Sequence, residues 1–169
     1  MNKRFILVDG SSLLYRAFYA LPLLTAANGE YTNAVYGFAT MLQKLIEEHK
    51  TEYLVVAFDK GKHTFRNEIF PEYKGTRKAT PPELSGQIPI LHEFLAAMGI
   101  SLVEEQGYEA DDILGALAVK AADKGFDVLV VTGDRDALQL VRPNIRVMFT
   151  RKGISDLLIY DETTFLKDY

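Results

Sequence analysis

Acidic side chains occur at four places where the sequence could assemble metal-ion chemistry. Three aspartates follow short apolar runs, with Ile-Leu-Val near Asp9, Val-Ala-Phe before Asp59 and Val-Thr-Gly before Asp134. Further acids precede a segment of helical period, and one more lies two residues after Asp134. The complete set is Asp9, Asp59, Glu109, Asp111, Asp112, Asp134 and Asp136.

Charge repulsion decides what a cluster of these carboxylates would require. Two like charges about 4 Å apart cost on the order of 4 kcal/mol at a surface-like dielectric, and a whole domain is stabilised by only about 5 to 15 kcal/mol. The chain has no cysteine, and its histidines, His49, His63 and His92, lie apart from these motifs. We therefore predict Mg²⁺ or Mn²⁺ bound by carboxylate oxygens, rather than Zn²⁺.

The number of acids favours two ions rather than one. In a two-metal site, one ion activates a water as nucleophile while the other stabilises the leaving oxygen of a phosphodiester. Helix capping is the alternative for any single acid, because carboxylates are favoured at a helix N-cap and in the first helical turn. All seven together, at three strand ends and one helix start, are better explained by a shared metal site.

Apolar periodicity predicts the elements that position these acids. Strand-like runs at 5–8, 53–58, 101–103 and 128–131 alternate with helical segments at 12–19, 34–48, 82–99 and 110–124. This alternation is typical of an α/β fold, with a central, mainly parallel sheet and helices on both faces. Because ligands bind at the C-terminal strand ends of such sheets, the acids are expected to meet at one rim.

The remaining elements complete one domain over residues 1–169. Ser11 or Ser12 is the predicted N-cap of the first helix. Residues 146–150 and 154–160 are predicted to form a hairpin, and residues 161–169 a final helix.

A basic segment interrupts the periodicity. From Lys60 to Lys78 there are six basic and two acidic residues, leaving a net charge of +4 within a chain whose formal net charge is −4. Phe65 and Tyr73 are interleaved with the basic residues, and such rings can stack on unpaired bases while lysine and arginine hold phosphates. We predict a basic helical arch or flexible loop at about 60–80 that binds nucleic acid; the alternative is a solvated, charged loop.

The first helix offers a second possible contact. Arg16 could bind a further phosphate together with Tyr15, although Tyr15 could equally lie in the core.

Composition excludes other classes of protein. Hydrophobic residues make up 48% and charged residues 25%, which is typical of a globular domain. The longest apolar runs are far shorter than the roughly 20 residues that span a bilayer. The first of them stops at Asp9, too soon for a signal peptide. We expect a cytoplasmic, monomeric protein without a membrane segment.

Several motifs together resemble the 5′ nuclease domain of bacterial DNA polymerase I. Their order and spacing match over essentially all 169 residues. The motifs are Val8-Asp9-Gly10-Ser11-Ser12 with Tyr15-Arg16, Phe58-Asp59, Thr64-Phe65-Arg66, Tyr73-Lys74, Pro81-Pro82-Glu83, Tyr108-Glu109-Ala110-Asp111-Asp112 and Thr132-Gly133-Asp134-Arg135-Asp136.

The resemblance implies a PIN-like, resolvase-like core related to the flap endonucleases. It implies 5′-3′ exonuclease and flap endonuclease action in DNA replication and repair, on DNA with 5′ flaps, nicks or RNA primers. It also implies a polymerase domain in the same parent chain. The family continues with two further aspartates and a helix-hairpin-helix segment, which the 169 residues do not include, so we expect a fragment of the nuclease domain.

The resemblance also assigns roles to individual residues. The seven acids become the metal cluster and, with Lys74 and Arg77, the catalytic residues. The residues implied to bind DNA are Tyr15, Arg16, Arg66, Tyr73, Lys74, Arg77 and Lys78.

Two other functions are alternatives to the nuclease. A phosphatase of the haloacid dehalogenase type also carries an aspartate after its first strand, but it needs a second acid two positions later. That position is Ser11, which disfavours the phosphatase. A fragment that binds metal and DNA without turnover stays open.

Overall fold

A six-stranded sheet forms the centre of the computed structural model, which describes residues 3–51, 53–64, 80–154 and 156–169. The described residues form eight strands, of which six make up this sheet and two, β3 and β5, form a separate pair. The strands are β1 Arg4–Asp9, β2 Tyr53–Ala57, β3 Lys60–Thr64, β4 Ser101–Val103, β5 Gln106–Gly107, β6 Asp127–Thr132, β7 Ile145–Lys152 and β8 Asp156–Tyr160. Their order in the large sheet is β4-β2-β1-β6-β7-β8, and β8 alone is antiparallel to its neighbour. The predicted mainly parallel sheet is confirmed.

Helices cover both faces of this sheet. They are α1 Gly10–Ala20, α2 Asn33–His49, α3 Pro82–Ser85, α4 Gln87–Ala97, α5 Ala110–Asp123 and α6 Glu162–Asp168, together with a 3₁₀ helix Arg135–Leu140. Ile6 and Val8 of β1 belong to the core beneath α1, α2 and α4, whereas Leu7 belongs to the core beneath α5. Successive side chains of a strand point to opposite faces, so one short apolar run supplies both cores.

The register of the central strands brings their C-terminal ends to one rim. Asp9 lies beside Ala57 of β2, and Val8 lies beside Val131 of β6. The loops that carry Asp59 and Asp134 therefore leave the sheet next to Asp9, as the sequence predicts.

Several predicted elements need correction. The N-cap of α1 is Asp9 and not Ser11 or Ser12, because the helix begins directly at Gly10 and the Asp9 side chain accepts from the Ser12 amide. The single helix predicted for 82–99 is two helices, α3 and α4, which meet at Gly86. Neither β5 nor the 3₁₀ helix is predicted by the sequence pattern.

Only the first residues of the predicted arch are described. Its first residues, Lys60–Thr64, form β3, which pairs in parallel with β5. The rest of that segment lies outside the described residues. In the described parts of the chain, no helix has the length and apolar character that crossing a lipid bilayer requires.

A buried pair of amides joins four helices. Asn33 and Gln87 are both fully buried. Gln87 Oε1 accepts from the amides of Ala34 and Val35 at 2.8 and 3.1 Å, so it caps the N-terminus of α2 from another helix. Gln87 Nε2 donates to Asn33 Oδ1 at 2.8 Å.

The same pair reaches two further chain segments. Asn33 Nδ2 donates to the carbonyls of Phe18 and Leu21 at 3.0 and 3.2 Å, near the end of α1. Gln87 Nε2 also donates to the Glu83 carbonyl at 3.0 Å. Buried polar groups need partners, and these two side chains satisfy each other while closing three helix ends.

We predict that Gln87→Leu destabilises the protein by about 2 to 4 kcal/mol. The substitution leaves the backbone amides of Ala34 and Val35 and the side-chain oxygen of Asn33 buried without the partners that Gln87 supplies. Urea unfolding followed by circular dichroism measures the change. The matched control is Gln43→Leu at an exposed position of α2, where we expect a change within about 0.5 kcal/mol. Equal effects of the two substitutions would contradict the role given to the network.

Candidate metal centre

Asp9 is the buried acid of the rim, with 4% of its surface exposed. Its Oδ1 accepts from the Ser12 amide at 3.1 Å, and its Oδ2 accepts from the Thr132 hydroxyl at 2.8 Å. Burial raises the pKa of Asp9, and the neighbouring charge of Asp59 adds to the increase, although the hydrogen bonds from Ser12 and Thr132 oppose it. A divalent cation would offset the cost of keeping this carboxylate charged.

The loop after β6 is tied to the loop after β1. Thr132 Oγ1 accepts from the Asp134 amide at 3.0 Å, and Ser12 Oγ accepts from the Gly133 amide at 3.0 Å. The Asp134 carboxylate caps the 3₁₀ helix by accepting from the Asp136 amide at 2.9 Å. These bonds fix the direction in which the chain leaves β6.

The start of α5 carries three more acids. The Glu109 amide donates to Asp112 Oδ2 at 3.0 Å, and the Asp112 amide donates to Asp111 Oδ1 at 3.1 Å. Glu109, Asp111 and Asp112 each place a carboxylate oxygen within 4.8 Å of the others. The positive end of the helix dipole favours acids here, and the capping box formed by Glu109 and Asp112 keeps them grouped.

Asp59 reaches the same helix start from β2. Its Oδ1 accepts from the amide of Ala110, the first residue of α5, at 2.6 Å. Asp59 therefore joins the end of β2 to the acids of α5.

A cavity of about 240 Å³ opens between these loops. Four of the seven predicted acids line it together with Thr132, and they come from β1, α5 and the 3₁₀ helix: Asp9, Asp111, Asp112 and Asp136. Glu109 joins them through the group at the start of α5. The carboxylates of Asp59 and Asp134, both described, are not part of the cavity lining, and each accepts from a neighbouring backbone amide.

The chemistry of the lining fits a hard divalent cation. Its polar side chains, within the described ranges, are carboxylates, one threonine hydroxyl and the amide of Gln139. The ion pairs formed between described residues involve Glu48, Asp127 and Asp156, and none of them includes Asp9 or Asp136. Oxygen donors without nitrogen or sulfur ligands suit Mg²⁺, Mn²⁺ or Ca²⁺.

Arg16 lies against the loop that follows β6. Its guanidinium donates to the carbonyls of Gly133 and Arg151, both at 3.1 Å, and lies 5.8 Å from the centre of the Phe149 ring. A Cβ added at Gly133 would come within 2.8 Å of Arg16 Nε, so a larger residue before Asp134 would displace the Arg16 side chain. Whether Arg16 also binds DNA stays a prediction.

Tyr15 is exposed over 54% of its surface and packs against Tyr19, with ring centres 4.7 Å apart. The alternative that Tyr15 is a core residue is wrong, because its position on α1 faces outward. The other predicted DNA-binding residues, Arg66, Tyr73, Lys74, Arg77 and Lys78, lie outside the described residues.

Three hydroxyl side chains that were not among the predicted site residues form hydrogen bonds between the loops of the rim. Ser11 Oγ accepts from the Asp59 amide at 2.9 Å, so the position where a dehalogenase-type phosphatase needs an acid supplies a neutral acceptor. Ser12 and Thr132 bridge β1 and β6. The only sequence signal for them was the presence of hydroxyl residues beside the motif aspartates.

Comparison with known families gives a match over nearly the whole chain. The family described as the 5′-3′ exonuclease, N-terminal resolvase-like domain, matches residues 4–169. The chain is 52% identical over 169 residues to DNA polymerase I of Bacillus caldotenax, and 54% identical over 159 residues to that of Bacillus subtilis (strain 168). The alignments cover 19% and 18% of these relatives, so the chain spans about a fifth of their length.

Solved structures share the fold. T5 5′-exonuclease with bound divalent zinc ions superposes with a TM-score of 0.72 at 22% identity, covering 94% of this chain and 58% of that one. The bacteriophage T5 D15 flap endonuclease in complex with DNA and metal ions gives 0.69 at 18% identity, covering 98% and 60%. The resolvase-like α/β fold expected from the sequence is confirmed.

The raised pKa of Asp9 leads to a prediction for the metal-free protein. The folded state holds the Asp9 proton more tightly than the unfolded chain, whose carboxyl titrates near 3.8. The favourable contribution is therefore complete below that value, and it is lost as pH rises through the folded-state pKa. Across this window, Asp9→Asn should gain stability relative to the parent by up to about 1.4 kcal/mol per pH unit.

Urea unfolding in EDTA between about pH 4 and pH 8 measures this difference, and Asp123→Asn near the exposed end of α5 controls for the loss of one charge. A stability difference between Asp9→Asn and the parent that stays constant over the whole range would refute the burial argument.

Proposed function

The chain belongs to the 5′-3′ exonuclease family of N-terminal, resolvase-like domains, and on that premise we propose that it is the metal-binding core of a 5′-3′ exonuclease and structure-specific flap endonuclease. Family membership makes it a nuclease domain, a hydrolase of phosphodiester bonds. We propose that its substrates are DNA with 5′ flaps, nicks or RNA primers, and that it serves replication and repair.

One observation carries this proposal: acids from β1, α5 and the 3₁₀ helix line a single cavity at the C-terminal rim of the sheet. Divalent ions bound there would supply an activated water and stabilise the charge that develops on the phosphodiester. The chain's own contribution is to fix the ligands. Asp9 is held through both carboxylate oxygens, and Asp111 and Asp112 are held by the first turn of α5.

We propose Mg²⁺ or Mn²⁺ as the resident ions, and two of them. The grouping of the acids supports two positions, with Glu109, Asp111 and Asp112 together at the start of α5, and Asp9 and Asp136 contributed to the cavity by β1 and the 3₁₀ helix. Asp59 and Asp134 stand next to these groups and are proposed to complete them.

The proposed nucleic-acid contacts lie mostly in the basic segment. Arg66, Tyr73, Lys74, Arg77 and Lys78 would hold the DNA backbone and stack on an unpaired base, with Lys74 and Arg77 close to the reacting phosphate. The exposure of Tyr15 and Tyr19 supports a further contact on α1.

The larger setting of the chain is proposed from its relatives. Because those DNA polymerases I extend well beyond the aligned region, we propose that residues 1–169 form the catalytic core of a nuclease domain joined to a polymerase domain. We propose that it acts on chromosomal DNA as a monomer in the bacterial cytoplasm.

We predict that Asp134→Asn lowers the rate of 5′-flap cleavage by about 100-fold or more. The substitution removes a charge beside the cavity but keeps an oxygen that can accept from the Asp136 amide, so the cap of the 3₁₀ helix is retained. A gel assay with a labelled 5′-flap DNA and Mg²⁺ or Mn²⁺ measures the rate. Asp123→Asn, at an exposed position of α5, should cleave like the parent.

A binding-only fragment is separated from a nuclease by exchanging the metal. The protein is first titrated with flap DNA in Ca²⁺, where we expect binding without cleavage, and Mn²⁺ is then added. Cleavage after the addition supports the proposed function. Binding that persists in Mn²⁺ without any product would favour a role in holding metal and DNA only.

A further inference from the structure

Two hydroxyl side chains connect the C-terminal ends of β1 and β6, near Asp9 and Asp134. Thr132 at the end of β6 lies between Asp9 Oδ2, at 2.8 Å, and the Asp134 amide, at 3.0 Å. Ser12 in α1 lies between the Gly133 amide, at 3.0 Å, and Thr132 Oγ1, at 3.4 Å. The two side chains form one connected group between β1 and β6.

The direction of each hydrogen bond follows from the chemistry of its partners. A backbone N–H can only donate, so Thr132 Oγ1 accepts from Asp134 and its single proton is available for Asp9. The ionised Asp9 can only accept, and its second oxygen accepts from the Ser12 amide. Both carboxylate oxygens are thus fixed by donors from different elements, which sets the plane of the carboxylate.

Both Thr132 and Asp9 are buried, so water does not readily replace a hydrogen-bond partner that is lost there. Thr132 is exposed over 1% of its surface and Asp9 over 4%. If the hydroxyl were removed, a buried carboxylate oxygen and the Asp134 amide would each lose a partner. The position of Asp9 relative to the turn that carries Asp134 and Asp136 would then no longer be fixed.

We propose that the hydroxyl pair Thr132 and Ser12 is a positioning device that holds the β1 acid and the β6-loop acids in the spacing that the metal ions require. The proposal rests on the proposed function, because it concerns ligands of the same site. Outer partners of this kind typically contribute 10- to 100-fold to metal affinity. The pair acts on the positions of the carboxylates themselves, independently of the metal.

The experiment compares Mn²⁺ affinity of the parent and of Thr132→Val, measured by isothermal titration calorimetry. We expect Thr132→Val to bind Mn²⁺ about 10- to 100-fold more weakly. Thr132→Ser restores the hydroxyl and should recover binding to within about threefold of the parent. In flap cleavage, kcat should fall in Thr132→Val while KM for the DNA stays unchanged, because the buried hydroxyl bonds to Asp9 and to the Asp134 amide.

The matched control is Thr150→Val. Thr150 is also fully buried at the rim end of a strand, but its hydroxyl has no hydrogen-bond partner among the described residues. The same substitution there should leave Mn²⁺ affinity unchanged. Equal Mn²⁺ affinities of Thr132→Val, Thr150→Val and the parent would overturn the proposal, and so would a loss that Thr132→Ser does not repair.

Two further measurements keep the proposal testable on its own. In the metal-free protein, the Asp134 amide should exchange with deuterium faster in Thr132→Val than in Thr150→Val, since it has lost its acceptor; equal exchange overturns the proposal. If Thr132→Val does not fold, Ser12→Ala takes its place and should weaken Mn²⁺ binding. Unchanged affinity in Ser12→Ala overturns the proposal as well.

The failure of the proposed function has a different signature. A parent protein that binds no divalent ion, or binds Mn²⁺ and cuts no flap DNA, contradicts the nuclease assignment. The exchange of the Asp134 amide would still report on the hydroxyl pair in that case.

Discussion

The cost of keeping negative charge at the sheet rim is the constraint on which the site depends. Asp9 is buried and ionisable, another carboxylate lies close enough to raise its pKa further, and four acids share one cavity. Charges of one sign at such distances destabilise a fold by amounts comparable with its net stability. Divalent cations would offset this cost, and for that reason the proposed function is metal-dependent.

Strand pairing and hydrogen bonds around the acids hold them close together. Parallel pairing places the ends of β1, β2 and β6 side by side, and the Ala110 amide at the start of α5 donates to Asp59. The buried pair Asn33 and Gln87 performs the same task one layer away, where it fixes α1 against α2 and α4. The ligands are therefore carried by rigid elements, which is the arrangement that precise metal geometry needs.

The sequence predicted those parts of the structure that depend on local pattern. Apolar runs gave the order of strands and helices, and aspartates at strand ends gave the rim, because both follow from periodicity and from the topology of parallel sheets. The errors have two causes. Asp9 caps α1 in place of the serines because the helix begins directly after β1. Lys60–Thr64 is a strand because a distant partner, β5, pairs with it.

By itself, the sequence determined the fold class, the identity of the candidate acids and the family to which the chain belongs. Only the tertiary structure decided how those acids are divided, with Asp9, Asp111, Asp112 and Asp136 lining the cavity and Asp59 and Asp134 outside its lining. It alone showed that Thr132 and Ser12 connect β1 to β6. No sequence pattern marks these two hydroxyl residues, because the groups that they connect lie 120 or more residues apart in the chain. Their role therefore depends on the register of the sheet.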